Sequence, residues 1–115
     1  MQLTHEDRVD GIRVIRIAGR MDLEGSRGIE LKFAVLTALD RSTVVVDLAA
    51  VDFIASLGLA TLVSGARTLG ARGGRMLLCG PRGMVAKLLD TSMIHKVIPV
   101  FADLDLALAA GGATT

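Results

Sequence analysis

Val51-Asp52-Phe53-Ile54-Ala55-Ser56-Leu57-Gly58-Leu59-Ala60 is the stretch where this chain changes period. Just upstream, Thr43-Val44-Val45-Val46-Asp47-Leu48 is β-branched and almost unbroken in apolar character. Such a run reads as a strand buried on both faces, the habit of parallel sheets. Downstream, Leu59, Leu62, Val63, Ala66 and Leu69 recur at helical spacing and make one apolar stripe. The spacing predicts a helix that starts near Ala55 or Ser56 and stops in the glycines between Gly70 and Gly74. Ser56 then stands in or beside the first turn, where backbone N–H groups lack partners and the helix dipole is positive. Two roles fit a hydroxyl there. One is an N-cap that satisfies one of those N–H groups. The other is a phosphate acceptor, because a helix start favours the up to about two negative charges of a phosphoserine. A phosphate at this place leaves the helix intact and changes only the charge and bulk of the surface.

The 115 residues suffice for one domain, expected over residues 1–110, with Gly111 to Thr115 as a frayed tail. Hydrophobic residues make up 51% of the chain, nearly all aliphatic, with three Phe and neither Trp nor Tyr. Mean hydropathy is +0.55, which implies a sizeable core with both faces of the sheet covered. The apolar content is interrupted, and no run approaches the ~20 residues that span a bilayer. No leader of basic, apolar and then small residues opens the chain, so a cytoplasmic protein without membrane insertion is expected. Thirteen basic residues against twelve acidic ones, without aromatic platforms, argue against direct nucleic-acid binding. The lone Cys79 forms no internal disulfide and reads as a small buried hydrophobe in the strand Arg75 to Cys79.

In chain order, two strands flank an Asp10-Gly11 turn, the first polar enough for a sheet edge. A helix of roughly Glu24 to Leu39 follows, carrying Ile29, Phe33, Leu36 and Leu39 inward. Beyond the central strand and helix come the strand Arg75 to Cys79, a short helix Met84 to Leu89, and a strand Val97 to Val100. Pro99 lacks an N–H and places that strand at an edge. Asp103 caps a last helix, Leu104 to Ala110. The order β-β-α-β-α-β-α-β-α is α/β: a mixed, mainly parallel sheet of about five strands flanked by about four helices. Right-handed crossovers bring the loops Gly19 to Asp22, Ala49 to Ser56 and Gly80 to Gly83 to one rim, where open α/β sheets carry their sites.

Chemistry is sparse. No phosphate-cradling loop and no nucleophile elbow is present, and His5 and His95 read as surface residues. Asp22, Asp47 and Asp52 all approach the rim and resemble the acidic pocket of a receiver domain, which holds Mg²⁺. Turn and cap roles compete with that reading, most clearly for Asp52. No catalytic residue, cofactor or metal is assigned.

Three segments together carry a resemblance: Gly19-Arg20-Met21-Asp22, Val44-Val45-Val46-Asp47-Leu48, and Val51 to Leu59. With Gly73 to Cys79 and Met84 to Leu89 they resemble the STAS domain of bacterial anti-sigma factor antagonists, in order and over nearly the whole chain. The resemblance implies the same sheet-and-helix fold and a non-enzymatic regulator of transcription. It implies binding to an anti-sigma factor that is also a serine kinase, release on phosphorylation, and restoration by a phosphatase. Ser56 falls on the phosphorylated serine of the family's D-S-[ST]-G motif and Gly58 on its glycine. Asp22 falls on the aspartate of its G-x-[LM]-D segment, near the docking surface. The implied partner surface is Asp22, Ala55, Ser56, Leu57 and Gly58. Two positions depart from the motif: its aspartate is Ala55 here and its second hydroxyl is Leu57. STAS-like subunits also brace lipid-transport ABC ATPase complexes without a phosphorylation cycle, and Ala55 and Leu57 lean toward that alternative.

Overall fold

The computed structural model describes residues 1–112. The strands are β1 (Gln2–Asp7), β2 (Ile12–Met21), β3 (Thr43–Ile54), β4 (Arg75–Cys79) and β5 (Val100–Phe101). The helices are α1 (Leu23–Thr37), α2 (Ser56–Ala71), α3 (Gly83–Thr91) and α4 (Leu104–Gly112). The sheet order is β1-β2-β3-β4-β5. β1 runs antiparallel to β2, and every other pair is parallel. The α/β class, the element order and the mainly parallel sheet are those expected from the sequence.

β3 is the middle strand, and its β-branched run has neighbours on all sides. Val44, Val45 and Val46 are each 0% exposed, as a strand covered on both faces requires. The two faces are covered unequally. Phe33 of α1, Leu62 and Leu69 of α2, and Val85 and Leu89 of α3 join Ile15, Val46 and Leu78 in the larger core. On the other face α4 alone closes over Ile12, Val14, Val45 and Leu77. Arg16 and Asp47 come next on that face and stay partly exposed, so the expected full cover is only partial.

Four boundaries differ from expectation. β3 does not end at Leu48. It runs on to Ile54, because β2 accompanies it through Ala18↔Ala50, Gly19↔Val51, Arg20↔Phe53 and Met21↔Ile54. Two register shifts interrupt this pairing, and such irregularities erase the period-2 pattern that marks a strand. α1 closes at Thr37, short of Leu39, where the Thr37 hydroxyl turns back to the Phe33 carbonyl at 2.9 Å. β5 starts only at Val100 because Val97 and Ile98 turn their N–H groups back to the Ile94 carbonyl, at 2.8 Å each, behind the 3₁₀ turn Ile94–Lys96. It does lie at the edge, and Pro99 contributes only its carbonyl, accepting from the Leu78 N–H at 2.9 Å. Gly111 and Gly112 are helical and not frayed. Arg75 Nη2 donates to the carbonyls of Ala110 at 2.7 Å and Gly111 at 3.3 Å, and Gly111 seats against Ile12 and Thr43. Residues 113–115 of the expected tail lie outside the described residues.

Two residues past α3, Met93 adopts the left-handed conformation at φ 63° and leads into the 3₁₀ turn. That conformation suits glycine and costs other residues about 1 kcal/mol. Met93→Gly should therefore raise the thermal midpoint by about 4 °C. Calorimetry that finds the midpoint unchanged or lowered would show that the exposed Met93 side chain compensates for its backbone.

Candidate functional site

The site forms where β2 and β3 end together. After Met21↔Ile54, the Ala55 N–H donates to the Met21 carbonyl at 2.8 Å. That bond carries the strand pairing into the helix start and sets Ala55 beside Asp22. Ala55 is the N-cap of α2, extended at φ −99° and ψ 174°, and it offers no side-chain cap. Ser56 is thus the first helical residue and not the cap. It is exposed, and its hydroxyl bonds to no other described residue. No acidic residue sits in the first turn, so the positive end of α2 is uncompensated.

The neighbouring positions do different work. Asp22 caps α1, its Oδ1 accepting from the Gly25 N–H at 2.8 Å. Its Oδ2 lies 3.6 Å from Arg20 Nε, and the Arg20 guanidinium stacks 4.5 Å over the Phe53 ring. Gly58 is buried, and a Cβ there would stand 3.1 Å from the Met21 carbonyl and 3.2 Å from Ser26 Oγ. Glycine suits this close approach of α2 to α1 and β2, since any Cβ would press on both. Leu57 is half-buried and turns into the groove between α1 and α2. Asp22, Ala55, Ser56, Leu57 and Gly58 therefore share one corner of the fold, with Ser56 outermost.

The acidic pocket does not form. Asp47 sits level with Cys79, well short of the end of β3. Its Oδ1 accepts from the Ala49 N–H at 3.0 Å, and Arg16 Nε lies 3.9 Å from Oδ2. Asp52 is exposed in the second register shift. No group of three His, Cys, Asp or Glu among the described residues is placed to hold a metal. The expected rim is split as well. Gly80, at φ +70°, closes against Asp47 and Ala49, and Arg82 donates to the Ala49 carbonyl at 3.1 Å. The Gly80 loop thus meets the middle of β3, away from Ser56.

Two features escaped the sequence. Ser26 is 0% exposed and its hydroxyl has no hydrogen-bond partner, directly beneath Gly58. Arg20 meets Phe53 only because β3 extends beyond Leu48; nothing local in the sequence announces that pairing. Cys79 is 0% exposed. Burial first, then the Asp47 and Asp103 carboxylates, push its thiol from 9.0 up to about 12, which removes it as a nucleophile.

The fold is that of known proteins. The STAS domain model matches residues 5–107. The chain belongs to the STAS domain family. A relative in Bordetella bronchiseptica, named as the anti-sigma factor antagonist BtrV, is 27% identical over 110 residues, covering 96% of this chain and 94% of the relative. The crystal structure of an anti-sigma factor antagonist from Mycobacterium paratuberculosis is 28% identical, with a TM-score of 0.84 over 96% of this chain and 92% of that one. The antagonist SpoIIAA in its unphosphorylated form superposes with a TM-score of 0.78 at 21% identity over 99% of both chains, a likeness of fold. No helix among the described residues of this STAS domain is long and apolar enough to cross a membrane.

Two substitutions at this corner should shift stability in opposite directions. Gly58→Ala forces contact with Met21 and should cost about 1–3 kcal/mol. Ser26→Ala removes an unpaired buried hydroxyl and should be neutral or stabilising by about 1 kcal/mol. Urea unfolding of both variants checks the pair. Cys79 gives a pH test. The folded thiol keeps its proton to about pH 12 and the unfolded one to about 9, so its contribution is whole below pH 9 and is lost as pH rises between those values. Native protein at pH 8 should resist Ellman's reagent, and alkaline loss of stability should be smaller in Cys79→Ala.

Proposed function

We propose that this STAS domain is an anti-sigma factor antagonist that acts by binding, not by catalysis, and is switched at Ser56. Its partner is a kinase-type anti-sigma factor, which docks on the corner formed by Asp22, Ala55, Ser56, Leu57 and Gly58. Transfer of a phosphoryl group from the kinase's nucleoside triphosphate to the Ser56 oxygen ends docking, and a phosphatase restores it by hydrolysis. The domain includes α4 through Gly112 and works in the cytoplasm.

The observation that carries this reading is the Ser56 hydroxyl, exposed and unbonded at the uncapped start of α2. A kinase reaches it without unfolding anything. The unpaired N–H groups and the dipole of α2 accommodate the added charge, so phosphorylation acts on the surface alone. With Ala55 in place of an acid, a phosphate meets one fewer negative neighbour. A partner that had desolvated this corner then faces up to about two buried negative charges.

Ala55 and Leu57 favour a second reading, a STAS subunit bracing a lipid-transport ATPase with no phosphate cycle. Binding measurements separate the two. Ser56→Ala should hold an anti-sigma kinase as the wild type does. Ser56→Asp should weaken it roughly a hundredfold, about 3 kcal/mol. Equal affinity in both variants rejects the switch. Intact mass of the native protein without phosphate, together with recovery of an ATPase, supports the second reading.

A further inference from the structure

α1 turns one face away from the rest of the domain. Its inward side carries Ser26, Ile29, Phe33, Leu36 and Thr37, all buried. Opposite them stand Glu24, Gly28, Leu31 and Val35, all exposed, with Lys32 on the flank. Their spacing of four, three and four residues is that of a helix–helix seam. Leu31 and Val35 are 78% and 64% exposed, more than any other large apolar side chain in the described helices. Toward the N-terminal end of α1 lies a hollow of about 500 Å³, floored by Gly25, Gly28 and Ile29 and rimmed by Arg20, Asp22 and Glu24. Gly25 is needed inside the fold, because a Cβ there would collide with the Arg20 carbonyl. Gly28 is not, because a Cβ there would meet nothing within 4 Å. Glycine inside a helix is less stable than alanine, and nothing within this chain accounts for it at position 28.

A knob and a hollow on one helix face are what a two-fold contact between identical chains requires, since each copy supplies both. We propose that α1 pairs antiparallel with α1 of a second copy of this chain, with the two-fold axis at Gly28. Gly25 and Leu31 are each three residues from Gly28, so each Leu31 enters the hollow of the other copy. Glu24 and Lys32 are each four residues from Gly28, so the Glu24 of each copy meets the Lys32 of the other. Glu24 has no partner among the described residues. Lys32 gives one N–H to the Leu3 carbonyl at 2.8 Å and keeps two to give. Arg20 and Asp22, 3.6 Å apart, answer each other at the rim. An apolar centre within a charged rim is the ordinary layout of an interface. A helix face on the order of 20 Å by 10 Å falls short of the ~800 Å² per partner of a standard interface. The dimer is therefore weak, with a dissociation constant on the order of 10–100 µM. This pairing does not depend on the role of Ser56.

Sedimentation velocity from about 5 to about 500 µM brackets that affinity. The mean mass of the wild type should rise with concentration from the 12.0 kDa of one chain toward twice that value. Leu31→Gln removes the knob and should weaken association tenfold or more. Glu24→Lys and Lys32→Glu each set like charges against each other twice and should do the same. The double variant exchanges the two charges at constant net charge and should associate as the wild type does. Thr91→Lys on α3 should change nothing, and circular dichroism melts confirm folding throughout. A wild type that stays at 12.0 kDa at every concentration overturns the pairing and leaves the face to another chain. Association that survives Leu31→Gln overturns it too, and a folded double variant that stays monomeric overturns the antiparallel register. If the Lys32→Glu variants fail to fold, Leu31→Gln and Glu24→Lys decide.

Discussion

One hydrogen-bonded seam governs this molecule: the parallel pairing of β2 with β3 carried to Met21↔Ile54 and closed by the Ala55 N–H on the Met21 carbonyl. Each strand leads directly into a helix, so the seam fixes two helix starts at once. Asp22 caps one and Ala55 begins the other. Gly58 then lets α2 close onto Met21 and Ser26. The Ser56 hydroxyl, one residue after Ala55, is held steady by backbone geometry alone. Its own side chain is left with no structural duty. A covalent switch wants that separation, because a group that supports the fold cannot be modified without disturbing it.

Much of this was legible in the sequence, and the illegible parts have physical reasons. Thr43 to Leu48 read correctly as a buried strand because an unbroken β-branched run has few other fates. Ala49 to Ile54 did not, because two register shifts scramble the alternation by which a strand is recognised. The same irregularities misplaced the acidic residues. Once β3 lengthens, Asp47 sits beside Cys79 and far from Ser56. The turn Ile94–Lys96 was hidden by Met93, since methionine rarely adopts the left-handed backbone that introduces it. At the site itself one residue of offset mattered most. Periodicity placed the helix start at Ala55 or Ser56, and whether Ser56 caps the helix or stands free depends on which of them is extended.

An STAS match over residues 5–107 establishes the frame. Ala55 and Leu57 are where this chain departs from the motif it otherwise follows. The structure gives the two departures separate surroundings. Ala55 is an uncapped helix entry that keeps negative charge away from Ser56, and Leu57 is half-buried against α1. The substitution of an acid and an alcohol by two apolar residues therefore shifts this corner from a polar surface toward a hydrophobic one.

The unequal covering of the sheet has its own consequence. α1, α2 and α3 share one large core, whereas α4 stands alone on the opposite face, tethered at its last turn by Arg75 to the carbonyls of Ala110 and Gly111. Those carbonyls end a helix with no helical neighbour on its face among the described residues, and the guanidinium is their anchor line. Amide exchange should begin there and leave the three-helix side closed. The domain thus has a soft back and a stiff front, and an element fused after Gly112 would pull on the soft side without reaching the other.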